Sequence, residues 1–294
     1  MKTYFSLTKF GIGLFVVIAG LVGYAVSFPL GNEMSLWQPV LLALGLYLVS
    51  GGSFALNQAQ EVDSDSLMAR TAARPIPSGK IKKWQAYALG VLFCSAGFLL
   101  LMIVSELSAY LALLTVFLYN GIYTLYWKKK WIFGAVPGAI PGAMPVVIGY
   151  AANTANVFTA ECVYLFLIMF LWQMPHFWAL AVRYKNDYSM GGFPVLPAQL
   201  GVERTLYHVG LYTFAYVGIA LAAPVLISTH ILYLLLIIPL AIKVLIEFWK
   251  YYQSGGEKKW LPFFLWTNLS MLGFICVPVF DKWFLHLLQI GQYG

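Results

Sequence analysis

Apolar residues run along this chain without alternation. Stretches of about twenty are separated by short polar connections, which is the pattern of membrane-spanning helices rather than of half-buried strands or a barrel. Nine stretches are expected to span, at about 10–30, 36–56, 84–104, 107–126, 132–152, 161–182, 205–227, 231–249 and 260–280. The first is long enough to be expected to span and stay rather than to act as a short, cleavable leader. The fifth reads "IFGAVPGAIPGAMPVVIGYAA", with three prolines and four glycines. Proline removes a backbone donor and kinks a helix, and small residues let helices approach closely, so a bent, tightly packed helix is expected there. The tail "DKWFLHLLQIGQYG" is expected to lie at the membrane interface.

Composition agrees with that pattern. The 294 residues are 61% hydrophobic and 10% charged, against roughly 25% charged in a soluble domain. The fold class expected is an all-α integral membrane protein, one domain over 1–294. It would be a bundle of nine transmembrane helices with a polar active-site cap on the cytoplasmic side. Cys94, Cys162 and Cys276 lie far apart inside apolar runs, which argues for buried packing residues and against a disulfide or metal framework.

Charge orients the bundle. If nine spans alternate, 17 of the 18 lysines and arginines fall on one side and Lys282 alone on the other. That side is read as the cytoplasmic face of the cytoplasmic membrane, with the N-terminus in the cytoplasm and the C-terminus outside. The net charge of +7 is thus a topology signal and gives no reason to expect nucleic acid as a partner.

Two connections on the basic side stand out. They follow spans two and six, and both mix acids with bases. The first contains "NQAQEVDSDSLMARTAARPIPSGK". Asn57, Glu61 and Asp65 are spaced i, i+4, i+8, so on a continuing helix they share one face about 6 Å apart along the axis, while Asp63 falls off it. Oxygen ligands alone suit Mg²⁺ or Ca²⁺ over zinc, and Mg²⁺ completes its shell with water and substrate phosphates. Arg70 and Arg74 follow at once, with Lys80 beyond, and arginine forks grip phosphate oxygens. A metal–diphosphate site is one reading, and a solvated juxtamembrane loop is the other. The second connection, "RYKNDYSMGGFPVLP", offers Arg183, Lys185, Asn186 and one acid, Asp187, for a second metal and further diphosphate contacts. Its "GGFPVLP" is a turn signal that could order a lid. Lys128 and Lys129 of "YWKKK" either bind phosphate or only set topology.

Span six carries "WQMPHFWAL", including Trp172, Gln173 and His176. Polar groups inside a membrane are costly unless they face the bundle interior. On a continuous helix His176, Arg183 and Asp187 share a face, with His176 about 16 Å deeper than Asp187. It is either a ligand or a hydrogen-bonded packing residue. His208, His230 and His286 lie near span ends and carry less weight.

These residues also carry a resemblance. "NQAQEVDSDSLMARTAARPIPSGKI", "PGAIPGAMPVVIGYAA" and "WQMPHFWALAVRYKNDYSMGGFPVLP" together resemble the heme O synthases, protoheme IX farnesyltransferases of the UbiA superfamily of membrane prenyltransferases, over nearly the whole chain. Quinone-directed relatives usually have a second loop richer in aspartate, whereas Asp187 has no acidic partner at 183 or 191. The resemblance implies Mg²⁺-dependent transfer of farnesyl from farnesyl diphosphate to a vinyl group of heme b, with water addition, giving heme O. It implies Asn57, Glu61, Asp65 and Asp187 as catalytic metal ligands. Arg70, Arg74, Lys128, Arg183 and Lys185 would bind diphosphate, and His176 and Trp172 heme. A heme A synthase or terminal oxidase assembly is the candidate partner for the product, and the lipid bilayer is the surrounding solvent. Two other readings stay open: a prenyltransferase acting on a quinone precursor or other aromatic ring, and a transporter. A transporter would place its acids near the midplane rather than at one face.

Overall fold

The computed structural model of this chain describes residues 2–33 and 35–293, and among these every regular element is helical. In order they are α1 (Lys2–Leu7), α2 (Phe10–Ser27), α3 (Trp37–Gln60), α4 (Val62–Leu67), α5 (Lys83–Val104) and α6 (Glu106–Val116). A π-helical segment, Phe117–Trp127, carries α6 on into the single turn α7 (Lys128–Lys130). Then come α8 (Ala135–Tyr150), α9 (Ala160–Arg183), α10 (Lys185–Met190), α11 (Leu196–Gln199) and α12 (Gly201–Leu221). The chain ends with α13 (Ala223–Leu226), α14 (Ile231–Gln253) and α15 (Trp260–Tyr293).

Helices occupy all nine segments expected from the sequence. Among the described residues seven are long and apolar enough to cross a membrane. The other two differ for physical reasons. α8 is apolar but has only 16 residues, and α12 has 21 but opens with Glu203 and Arg204 in its first turn. The tail departs from expectation. No break separates it from the last span, because α15 runs on as one helix of 34 residues; Gly294 and the side chains at 285 and 287–293 lie outside the described residues.

Local chemistry sets several of these boundaries. The Thr159 hydroxyl accepts from the Cys162 amide and starts α9, and Ser105 does the same for α6 through the Ser108 amide, each satisfying an amide that has no partner within its helix. α8 keeps Pro141 and Pro145 inside its length and packs closely against α2. A Cβ added at Gly149 would overlap the Gly20 carbonyl, backbone on backbone. The last helix returns to α2: Lys282 Nζ donates to the carbonyls of Val26 (2.6 Å) and Phe28 (2.7 Å), and Trp283 Nε1 to that of Ala25 (3.1 Å). Carbonyls at the end of α2 that have no helical partner are thereby satisfied, and α2 and α15 are held together. The three cysteines are free thiols, with Cys162 buried.

Candidate functional site

The bundle encloses a cavity of about 980 Å³, at the upper end of the roughly 300–1,000 Å³ usual for small-molecule sites. One end is polar and is built from the loop after α3, the turn α7 and the segment before α2. The rest is apolar and aromatic, lined by α2, α3, α6, α8, α9 and α15.

α3 delivers Asn57 and breaks at Glu61 (φ −104°, ψ 9°). The break does not lose the register. The Glu61 amide still donates to the Asn57 carbonyl (3.0 Å) and the Asp65 amide to that of Glu61 (2.8 Å). Asn57, Glu61 and Asp65 are therefore all buried and all line the cavity, while Asp63 is exposed. Each meets a partner. Asn57 Nδ2 donates to Thr124 Oγ1 (3.1 Å), and Asn57 Oδ1 accepts from Lys9 Nζ at 3.4 Å. Glu61 is held through both oxygens by Lys128 Nζ, at 2.6 and 2.7 Å. Asp65 Oδ2 accepts from Arg74 Nη1 at 2.6 Å, and its Oδ1 is buried with no hydrogen-bond partner.

That oxygen, and a donor set made only of oxygens, fit a hard divalent cation. Among the described residues no three His, Cys, Asp or Glu side chains gather closely enough to hold a metal by themselves. A cation here would lean on Asn57 and on substrate phosphates, in keeping with the habit of Mg²⁺ of taking one or two carboxylates.

The second loop sits differently from the sequence expectation. α9 ends at Arg183 and the chain turns at Tyr184 (φ −114°, ψ 30°), so Asp187 lies on the separate helix α10, although the Tyr184 amide still donates to the Leu180 carbonyl (2.9 Å) and the Tyr188 amide to that of Tyr184 (3.1 Å). Its Oδ2 accepts from the Arg70 backbone amide at 3.2 Å, which ties the two loops together. Arg70 lines the cavity and lays its guanidinium 5.5 Å from the ring centres of both Tyr184 and Tyr188. Asp187, Arg183 and Lys185 do not line it; Arg183 lies over the Trp260 ring, and Lys185 is exposed, as are Asn186, Lys80 and Lys129. From "GGFPVLP", Phe193 to Leu196 line the cavity, with Lys128 Nζ 4.7 Å from the Phe193 ring centre.

Deeper along α9, Trp172 and His176 line the cavity with ring centres 4.9 Å apart, and Phe264 of α15 lies 4.7 Å from the imidazole. Gln173, on the neighbouring face, donates through Nε2 to the carbonyls of Ala139 (3.0 Å) and Met169 (2.9 Å) and joins α9 to α8.

Two further groups stand at the polar end without a clear sign in the sequence. Lys9 reads there only as a topology charge. It lies just before α2 with left-handed backbone (φ 48°), aimed at Asn57 and 5.2 Å from the Phe54 ring centre. Burial, then the charges of Arg74 and Lys128, bring its ammonium down to about 7 against the pull of Glu61 and Asp65. Its position depends on Gln58, whose Nε2 donates to the carbonyls of Ser6 (3.1 Å) and Leu7 (2.7 Å). The other group is Asn120 and Thr124, polar residues one turn apart in a mostly apolar span, which is the available signal. Asn120 Oδ1 accepts from Ser53 at 2.6 Å, and Thr124 accepts from Asn57.

A multispan helical bundle with a cavity that sets carboxylates and bases at one end above an apolar chamber has the architecture of a membrane-embedded enzyme. Residues 14–269 match the UbiA prenyltransferase family, and the chain belongs to that family. It is 53% identical over 290 residues to the protoheme IX farnesyltransferase of Bdellovibrio bacteriovorus, covering 97% of this chain and 99% of that one. Two solved structures share the fold. Digeranylgeranylglyceryl phosphate synthase superposes with a TM-score of 0.75 at 21% identity, over 95% of this chain and 98% of that one. A UbiA homologue from Archaeoglobus fulgidus, bound to DMAPP and Mg²⁺, gives 0.66 at 19% identity, over 94% and 98%.

Proposed function

We propose that this chain transfers the farnesyl group of farnesyl diphosphate to a vinyl group of heme b, with addition of water, giving heme O and diphosphate. The observation that carries this reading is one cavity joining Asn57, Glu61, Asp65, Arg74 and Lys128 at its polar end to the apolar chamber of Trp172 and His176. The near full-length similarity to a protoheme IX farnesyltransferase supports the choice of donor and acceptor.

Arg74 and Lys128, with Arg70 at the rim and Lys9 facing Asn57, would hold the diphosphate oxygens and favour departure of that group. Arg183 and Lys185, outside the cavity lining, would complete the grip from the rim. Asn57, Glu61 and Asp65, with Asp187 from the second loop, would hold Mg²⁺, which supplies further neutralisation of the leaving charge. Phe193 to Leu196 would act as a lid that keeps bulk water from the allylic cation, and the aromatic walls would stabilise it. Trp172 and His176 would face the acceptor heme. In this reading the polar end faces the cytoplasm and the product passes to a heme A synthase or a terminal oxidase.

The test is expression in membranes that lack this activity, followed by extraction and mass spectrometry of hemes. Heme O appearing only with this chain supports the assignment. Membranes that leave heme b unchanged while prenylating an aromatic acid would overturn it.

A further inference from the structure

The inner part of the cavity has few polar groups, and most are satisfied within the bundle. Ser50 donates to the Tyr47 carbonyl (3.1 Å), Thr115 to that of Leu111 (2.7 Å), and Gln173 as described. Two nitrogens are not. Trp172 Nε1 and His176 Nδ1 are buried without a hydrogen-bond partner. They lie one turn apart on α9, their rings in contact. Asn268 on α15 lines the same part of the cavity and donates through Nδ2 to the Phe264 carbonyl, and no protein group reaches His176 Nδ1.

A buried polar group left unpaired is costly, so two side by side in a cavity wall call for a guest. The indole N–H can only donate, whereas a neutral imidazole offers one acceptor nitrogen. With Nδ1 as that acceptor, a guest that satisfies both accepts from Trp172 and donates to His176 at once. Iron would engage the imidazole and leave the indole unpaired. A vinyl group can do neither. Water does both.

We propose that Trp172 and His176 hold the water molecule consumed in the reaction, with His176 as its base. The inference rests on the heme-farnesylating reading above. Diphosphate leaves farnesyl C1 with the bonding electron pair. The terminal vinyl carbon of heme forms a bond to C1, which leaves a cation on the vinyl carbon attached to the ring. The oxygen of the held water bonds to that carbon, its proton passes to His176 Nδ1, and the imidazolium then releases it to solvent. Without a positioned water, the same cation would lose a proton from the neighbouring carbon and give an alkene lighter by one water.

Purified enzyme in detergent, with farnesyl diphosphate, Mg²⁺ and heme b, would be assayed as wild type, Trp172→Phe and His176→Asn. The hydrated and dehydrated products would be resolved by mass spectrometry. Wild type should give the hydrated product. Each variant should lower the hydrated-to-dehydrated ratio about tenfold or more, as the loss of one positioning hydrogen bond would do, whatever its total rate. Trp172→Phe keeps an aromatic ring and deletes the indole donor, so it tests the idea even if His176→Asn folds poorly. An unchanged ratio in Trp172→Phe, or loss of all alkylation in that variant with wild-type thermal stability, would overturn the proposal. A wild type that yields no farnesylated heme of either kind overturns the underlying reading instead.

Discussion

Lys128 Nζ lies 2.6 and 2.7 Å from the two carboxylate oxygens of Glu61, across 67 residues of sequence. Glu61 is 2% exposed and Lys128 25%, so the carboxylate depends on this ammonium for its charge balance. Lys128→Met should destabilise the protein by about 3 kcal/mol, because it strands a buried carboxylate. The double variant Glu61→Gln/Lys128→Met should recover most of that thermal stability. Turnover should stay about a hundredfold down in both, since the diphosphate loses a charged donor. Melting curves and steady-state rates on the three proteins separate the two effects.

Asp65 Oδ1 has no protein partner, which makes it the oxygen best placed to receive a cation. Asp65→Asn should raise the Mg²⁺ concentration for half-maximal rate by about tenfold or more. Chelation of the wild-type protein should abolish turnover, and Mg²⁺ should restore it. A titration with the same midpoint in wild type and variant would remove Asp65 from the metal site.

Lys9 gives a pH signature in the metal-free protein. Its ammonium is lowered from 10.5 to about 7, so between those values the unfolded chain holds a proton that the folded chain does not. Stability contributed at this site should therefore rise as pH rises from about 7 toward 10.5. Lys9→Met has no ammonium to bury. The melting-temperature advantage of the variant over wild type should be largest near pH 7 and shrink toward alkaline pH. An advantage that grows with pH would contradict the burial argument.

Packing of α2 on α8 should be sensitive to a single methyl group. Gly149→Ala sets a Cβ against the Gly20 carbonyl, which cannot rotate away, and a loss of about 1–3 kcal/mol or more is expected. Gly218→Ala on α12 meets nothing within 4 Å and should be neutral or stabilising by up to about 1 kcal/mol through helix propensity. Thermal midpoints of the two variants in the same detergent make the comparison.

How much of this was legible in the sequence follows from what is local. The helices could be read because twenty apolar residues leave the backbone no alternative in a bilayer. Asn57, Glu61 and Asp65 could be grouped because i, i+4 spacing survives the break at Glu61. The contact of Asp187 with the Arg70 amide could not be read, because it joins residues 117 apart in the sequence. Lys9 was hidden by distance: its partner Asn57 is 48 residues away, and near a chain start a lysine reads as topology. The role of Asn120 and Thr124 depends on which way a π-helical segment turns, and residue spacing alone does not report that.

That segment, Phe117–Trp127, also sets a phase. A turn wider than the α-helical one changes the angle at which everything after it leaves the span. Each residue of an α-helix advances the chain by about 100°. A one-residue deletion between 117 and 127 that let the segment relax to α-helix would shorten the span little but swing Lys128 around the axis, away from Glu61. The fold would keep its helices and its charges and lose the alignment between them, so the length of this one segment acts as a timing element for the whole polar end.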